Sequence, residues 1–143
     1  MSSKVTVPHQ NSLGRELMFK FCYQLEAEKI FIFDLMRFEK FCVYFGKDLS
    51  PQAQEFGKKI LIHLFENWTK INDLITAHSH NWKISRMAII DRVIIRLAIA
   101  ENLVNETPRK VILDESIELA KTFGTLEASR FVNGILHECL TKE

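Results

Sequence analysis

Residues 85–104 read SRMAIIDRVIIRLAIAENLV, with five isoleucines and two valines in twenty positions. Their β-propensity argues for a strand, but strands usually stop by about ten residues. Angular spacing decides between the two. At a helical step Ser85, Arg92 and Arg96 fall on one side, which leaves most of the remaining circumference apolar. A helix that is apolar almost all round is a buried one. The segment therefore reads as the central helix of a helical domain, with a narrow polar stripe.

The same period recurs on both sides of it. Upstream, Leu13, Leu17, Phe21 and Leu25 are spaced four apart, with Met18 and Cys22 beside them, as in an amphipathic helix. A second stripe, Phe19, Tyr23 and Ala27, lies on the opposite side, so this helix either sits inside a bundle or offers an outward contact surface. Within 30–46, Phe31, Leu35, Phe38 and Cys42 fit helical spacing and Gly46 fits a helix stop. Ser50-Pro51 is an N-cap followed by proline at the first helical position. Ala53, Phe56, Ile60, Leu64, Trp68, Ile71 and Ile75 then carry one helix onward to a bend in 76–84. Downstream, Thr107-Pro108 opens a helix with Leu113, Ile117 and Ala120 inward and Gly124 as its stop; Thr125 caps the last one. Neither Gly nor Pro occurs from Lys58 to Thr107. That excludes a sandwich or barrel, which needs frequent turn residues. The expected fold is all-α: six or seven helices in two small bundles sharing a long central helix. It forms a single helical domain over 1–143, with residues 1–10 as a loose arm.

Composition narrows the chemistry. Net charge is +1 across 143 residues, so bulk attraction to a polyanion is excluded. The charge is uneven, however. Residues 83–110 hold six basic residues (Lys83, Arg86, Arg92, Arg96, Arg109, Lys110) against three acidic ones. That excess is either a solvated helix face or a local patch for phosphate or an acidic partner. Three scattered cysteines without a CxxC support neither a disulfide framework nor a zinc knuckle. His78 and His80, two apart, cannot chelate together on a helix. Asp114, Glu115 and Glu118 near a helix start satisfy the helix dipole. No Gly-rich phosphate loop or nucleophile elbow is found. No enzyme, cofactor or metal is expected. The polar N-terminus and the lack of an 18-residue apolar run argue against a signal peptide or membrane span, and so for a cytoplasmic protein.

Arg130-Phe131-Val132-Asn133-Gly134 is the odd stretch. Gly inside a helix is unfavourable by about 1 kcal/mol relative to Ala. Arg130, Asn133, Gly134 and His137 point away from the Val132–Ile135–Cys139 face. The glycine marks either a helix crossing or the close approach of a ligand. Arg, Asn and Phe suit single-stranded RNA, through phosphate, base edge and base face respectively.

The run from Trp82 to Leu136 resembles the NusB family of bacterial transcription antitermination factors, on DRVIIRLAIAE (91–101), Pro108, DESIELAKTFG (114–124) and SRFVNGIL (129–136). RELMFKFCYQLE (15–26) is similar to the family's first helix. The resemblance implies binding of boxA RNA in ribosomal-RNA transcripts, together with the ribosomal protein NusE, in the RNA polymerase elongation complex, and a part in ribosome biogenesis. The family's N-terminal arginine cluster is reduced here to Arg15, with Lys4 on the arm. Those two, with Arg130, Phe131 and Asn133, are the RNA-binding residues the resemblance implies. Tyr23 and Asp91 match positions linked to the ribosomal-protein partner; Phe19 and Arg92 beside them complete that expected surface. Ala100 stands where the family often has an aromatic, which implies a smaller partner interface.

Two alternatives stay open at this stage: a protein-only helical adaptor with little RNA recognition, and the RNA-binding module of ribosomal-RNA methyltransferases. The chain's stop at Glu143 speaks against the second. The apolar outer stripe suits a homodimer as well as a heteromer. The RNA reading carries one geometric expectation. The start of the chain and its last helix should lie side by side, forming a cationic ledge with aromatic rings.

Overall fold

The computed structural model describes residues 3–80 and 82–140, with side chains from Gln10 onward. Among these residues there are seven α-helices and no strand: α1 (Ser3–Ala27), α2 (Leu35–Phe45), α3 (Pro51–Glu66), α4 (Trp68–His78), α5 (Ile89–Val104), α6 (Arg109–Phe123) and α7 (Leu126–Cys139). A 3₁₀ turn at Ile84–Arg86 precedes α5.

The Ile-rich helix is central, as its apolar circumference requires. Val93 to Ala100 are buried without interruption, and α5 packs against α1, α3, α4, α6 and α7. At 16 residues it is not the longest helix; α1 has 25. One cluster of buried side chains runs through the domain, from Leu17 and Phe21 on α1 to Val132 and Leu136 on α7.

Several boundaries differ from the sequence expectation, each for a local reason. Residues 3–10, expected to be a loose arm, belong to α1. The helix expected in 30–46 starts only at Leu35, where Asp34 accepts from the backbone N–H groups of Met36 and Arg37. The single helix expected from Pro51 to Ile75 is two, parted at Asn67, whose Nδ2 donates to the His63 carbonyl at 2.9 Å. The Ser50 cap is as expected, with Oγ accepting from Ala53 N at 3.1 Å. The central helix starts at Ile89 rather than Ser85, because Met87 and Ala88 are extended. It stops at Asn105, in the left-handed region at φ 61°. Pro108 itself, not Thr107, holds the N-cap position of α6.

The close crossing of α1 and α3 explains two glycines. A Cβ on Gly14 would meet the Ala53 carbonyl oxygen at 3.2 Å, and one on Gly57 would meet Met18 Cγ at 3.3 Å. These glycines let the two helices approach.

Candidate nucleic-acid interface

The expected ledge between the chain's start and its last helix does not form. α1 packs mainly against α3, α5 and α2, whereas α7 packs mainly against α6, α5 and α4. Two separate surfaces result.

On α1, Arg15 is not a phosphate contact. Its side chain is buried, and it donates from Nε and Nη2 to Glu101 at 3.0 and 2.6 Å and from Nη1 to Glu115 at 3.1 Å. Its guanidinium lies 4.9 Å from the centre of the Phe56 ring. Burial alone would lower its pKa, but the two carboxylates outweigh that and raise it. Arg15 therefore ties α1 to α5 and α6 with its charge neutralised inside the fold. Lys4 lies in α1, but its side chain falls outside the described residues.

Of the expected partner residues, Phe19 is buried at 3% exposure rather than displayed. Its ring centre lies 4.8 Å from that of Phe123 and 6.0 Å from that of Tyr23, both pairs tilted. Together with Lys20 and Ile90 these rings line an apolar dimple of about 240 Å³. Tyr23 forms its open edge at 39% exposure. Phe123 and Ile90 were not predictable from the α1 stripe, since they come from the end of α6 and the start of α5. Arg92 is spent within the chain: Nη1 donates to the carbonyls of Ile84, Ser85 and Met87, and Nη2 pairs with Glu26 at 3.2 Å. Asp91 is half-buried, and its Oδ1 has no hydrogen-bond partner among the described residues. Burial pushes its carboxyl above the ordinary carboxylate range. Ala100 is fully buried, so its small size bears on core packing and not on an interface. An exposed apolar group the spacing did not single out lies on α2, at Met36, Val43, Tyr44 and Phe45, with Ile32 before it.

On α7 the expected residues do come together. Arg130 is exposed, Asn133 and Phe131 are half-buried and His137 is exposed. Gly134 is not a helix crossing: a Cβ added there would meet nothing within 4 Å. The tolerated glycine therefore leaves open surface. Being i+4 from Arg130 and i+3 from Phe131, it is bordered by both. The turn after α4 brings Trp82 to the same face, its ring 6.4 Å from that of Phe131.

The basic excess of 83–110 divides accordingly. Arg92 and Arg96 pair with Glu26, Arg109 donates to the His137 carbonyl and Lys110 pairs with Asp114. Lys83 and Arg86 are exposed and have no ion pair among the described residues. Lys83 directly follows Trp82 in the sequence, and Arg86 comes three residues later. No group of three or more metal-ligating side chains occurs among the described residues. No helix there is long and apolar enough to cross a membrane.

Comparison with known proteins agrees with this architecture. The model of the NusB family matches residues 12–141. The chain is 36% identical over 124 residues to the Transcription antitermination protein NusB of Myxococcus xanthus, covering 86% of this chain and 89% of that protein. It is 37% identical over 121 residues to the protein of the same name from Desulfosudis oleivorans, covering 84% and 77%. Among solved structures it resembles T. maritima NusB, with a TM-score of 0.78 at 32% identity over 89% of this chain and 87% of that one. A chain in the crystal structure of a plectonemic RNA supercoil shares the fold, with a TM-score of 0.79 at 22% identity over 90% and 91%.

Proposed function

The chain belongs to the NusB family, and from that premise we propose that it works as a non-catalytic RNA- and protein-binding antitermination factor. In this reading it binds boxA-type RNA of ribosomal-RNA transcripts together with NusE, in the RNA polymerase elongation complex, in the cytoplasm. The observation that carries the RNA half is the open surface over Gly134, with Arg130, Phe131 and Asn133 around it. A mid-helix glycine that serves no packing contact is left without a structural reason. The side chains beside it supply a phosphate partner, a stacking ring and a base-edge reader. The partner half rests on the dimple under Tyr23, where a partly exposed aromatic beside an apolar hollow suits one inserted side chain of the partner.

The two surfaces lie on different helices, α1 and α7, both of which pack against α5. With Arg15 withdrawn into the interior, few phosphate contacts remain on α1. Each missing one lowers affinity and reduces the salt slope by about 0.7 for a single strand. RNA binding by the chain alone is therefore weak, and partner and RNA reinforce each other in one complex. The test is titration of labelled boxA-type RNA at two salt concentrations, with and without NusE. The expected result is weak, salt-sensitive binding that tightens with NusE. Equal binding of scrambled RNA under all conditions counts against it. The burial of Arg15 also favours a second reading, an adaptor that binds NusE only. NusE binding without any RNA affinity, alone or in the complex, selects that one.

A further inference from the structure

We infer that Trp82 and Phe131 form a platform on which one unpaired RNA base stacks, seated over Gly134; this rests on the RNA reading above. No residue assigned so far requires Trp82. An indole that is 54% exposed, against a half-buried phenyl ring at 6.4 Å, leaves a large aromatic face in water. Buried tryptophans are common and exposed ones are a signature of contact surfaces.

The backbone that carries the ring is held by its surroundings. Ser79 is buried, its carbonyl accepts from Trp82 N at 3.0 Å, and its Oγ donates to the Trp82 carbonyl at 2.7 Å. His80 takes a left-handed φ of 50° between them. The turn is tied to α7 by His78 Nδ1 at 3.3 Å from Glu138 Oε1. On its other side Arg92 holds the carbonyls of the 84–87 segment. A platform fixed in advance loses little freedom when a base lands on it.

Glycine supplies the space. Side chains on a helix lean toward its N-terminus, so the residue at 134 would cover the turn that carries Arg130 and Phe131. With no side chain there, the Phe131 ring and the Arg130 stem are bared. The two rings favour a base in that notch, with Arg130 at its border left for a neighbouring phosphate. Lys83 and Arg86, beside Trp82 in sequence, are exposed and suit the flanking phosphates.

The chain has two tryptophans, and Trp68 is stacked on Phe65 with ring centres 5.5 Å apart. W68F therefore leaves Trp82 as the only indole. In that background, adding boxA-type single-stranded RNA to the full chain with NusE should quench its emission. W82A should weaken RNA binding, followed by anisotropy of the labelled RNA, by about 5- to 100-fold. W82F should restore most of it while NusE binding stays unchanged. G134L should weaken RNA binding yet leave the melting temperature equal or higher, a combination that misfolding cannot give. If W82A and G134L bind RNA like the wild type and the emission does not move, the platform is wrong while the RNA reading stands. If the wild type with NusE binds no RNA, both fall.

Discussion

Replacing Arg15 by alanine should lower the folding free energy by about 3–5 kcal/mol, the range for breaking a buried ion pair by removing one partner. Four charge-assisted hydrogen bonds, at 2.6 to 3.2 Å, join its guanidinium to Glu101 and Glu115. The side chain of Glu101 is only 4% exposed, whereas that of Glu115 is 28% exposed and can turn to water. The loss is thus concentrated on Glu101, left as an uncompensated charge in the interior. Replacing both, as Arg15→Met with Glu101→Leu, removes the orphaned charge and should recover most of the loss, since apolar groups of similar size often match a buried ion pair. Urea unfolding of the three proteins gives the comparison. The double variant separates fold from function: its RNA binding should keep the wild-type salt slope, where loss of a phosphate contact would reduce the slope by about 0.7. Arg15→Ala costing less than about 1 kcal/mol, as an exposed pair would, together with a reduced salt slope, would refute the structural role and restore Arg15 as an RNA contact.

Tyr23→Ala should weaken NusE binding by about 2 kcal/mol or more, the range of an aromatic hot spot. The melting curve should hardly change, because the ring lies at the dimple's open edge; calorimetric titration and a thermal scan read the two. The carboxyl of Asp91 is raised by burial, so between its unfolded and folded pKa values the native state holds the extra proton. Its contribution therefore favours folding at low pH and is lost as pH rises through the folded pKa. Asp91→Asn should gain stability at pH 7 relative to the wild type and lose that advantage near pH 4, as measured by urea midpoints across pH. Burial also pushes the Cys22 thiol up to about 12 and the Cys139 thiol up to about 11, and Cys42 is buried and raised too. A thiol reagent at pH 8 should therefore label none of them in native protein and all three in urea.

Periodicity made the helices legible but not all of their ends. The apolar spacing runs through Leu64, Trp68, Ile71 and Ile75 without a break. Nothing in it signals that Asn67 parts α3 from α4, since both sides of the break face the same core. Asp34 starts α2 by local hydrogen bonding and Asn105 ends α5 by a left-handed backbone, signals that a polar residue in a loop carries only weakly. The α7 half of the site was readable because Arg130, Phe131, Asn133 and Gly134 stand on neighbouring turns of one helix. The α1 half was not. Whether a guanidinium near a chain terminus meets solvent or carboxylates depended on Glu101 and Glu115, 86 and 100 residues away. Trp82 was passed over for the same reason: its ring partner is on α7, and only the docked turn after α4 makes the pair.

The glycines show where sequence alone stops and what remains afterwards. Gly14, Gly57 and Gly134 all stand inside helices, where each weakens the helix by a similar amount relative to alanine. By sequence they are equivalent, and a helix crossing accounts for any of them. In the folded chain the first two are explained by α1 against α3, with contacts at 3.2 and 3.3 Å, and the third has none. A residue that weakens its own helix and serves no neighbour in the chain is accounted for by something outside the chain. The same subtraction applies to charge. Once Arg92 and Arg96 on Glu26, Arg109 on the His137 carbonyl and Lys110 on Asp114 are set aside, Lys83 and Arg86 remain as the exposed cations of 83–110 without an ion pair among the described residues, one and four positions after Trp82 in the sequence. The open glycine beside Phe131, with Trp82 against that ring and two unpaired cations following Trp82 in the sequence, is the physical ground for the proposal that RNA binds on α7 rather than on α1.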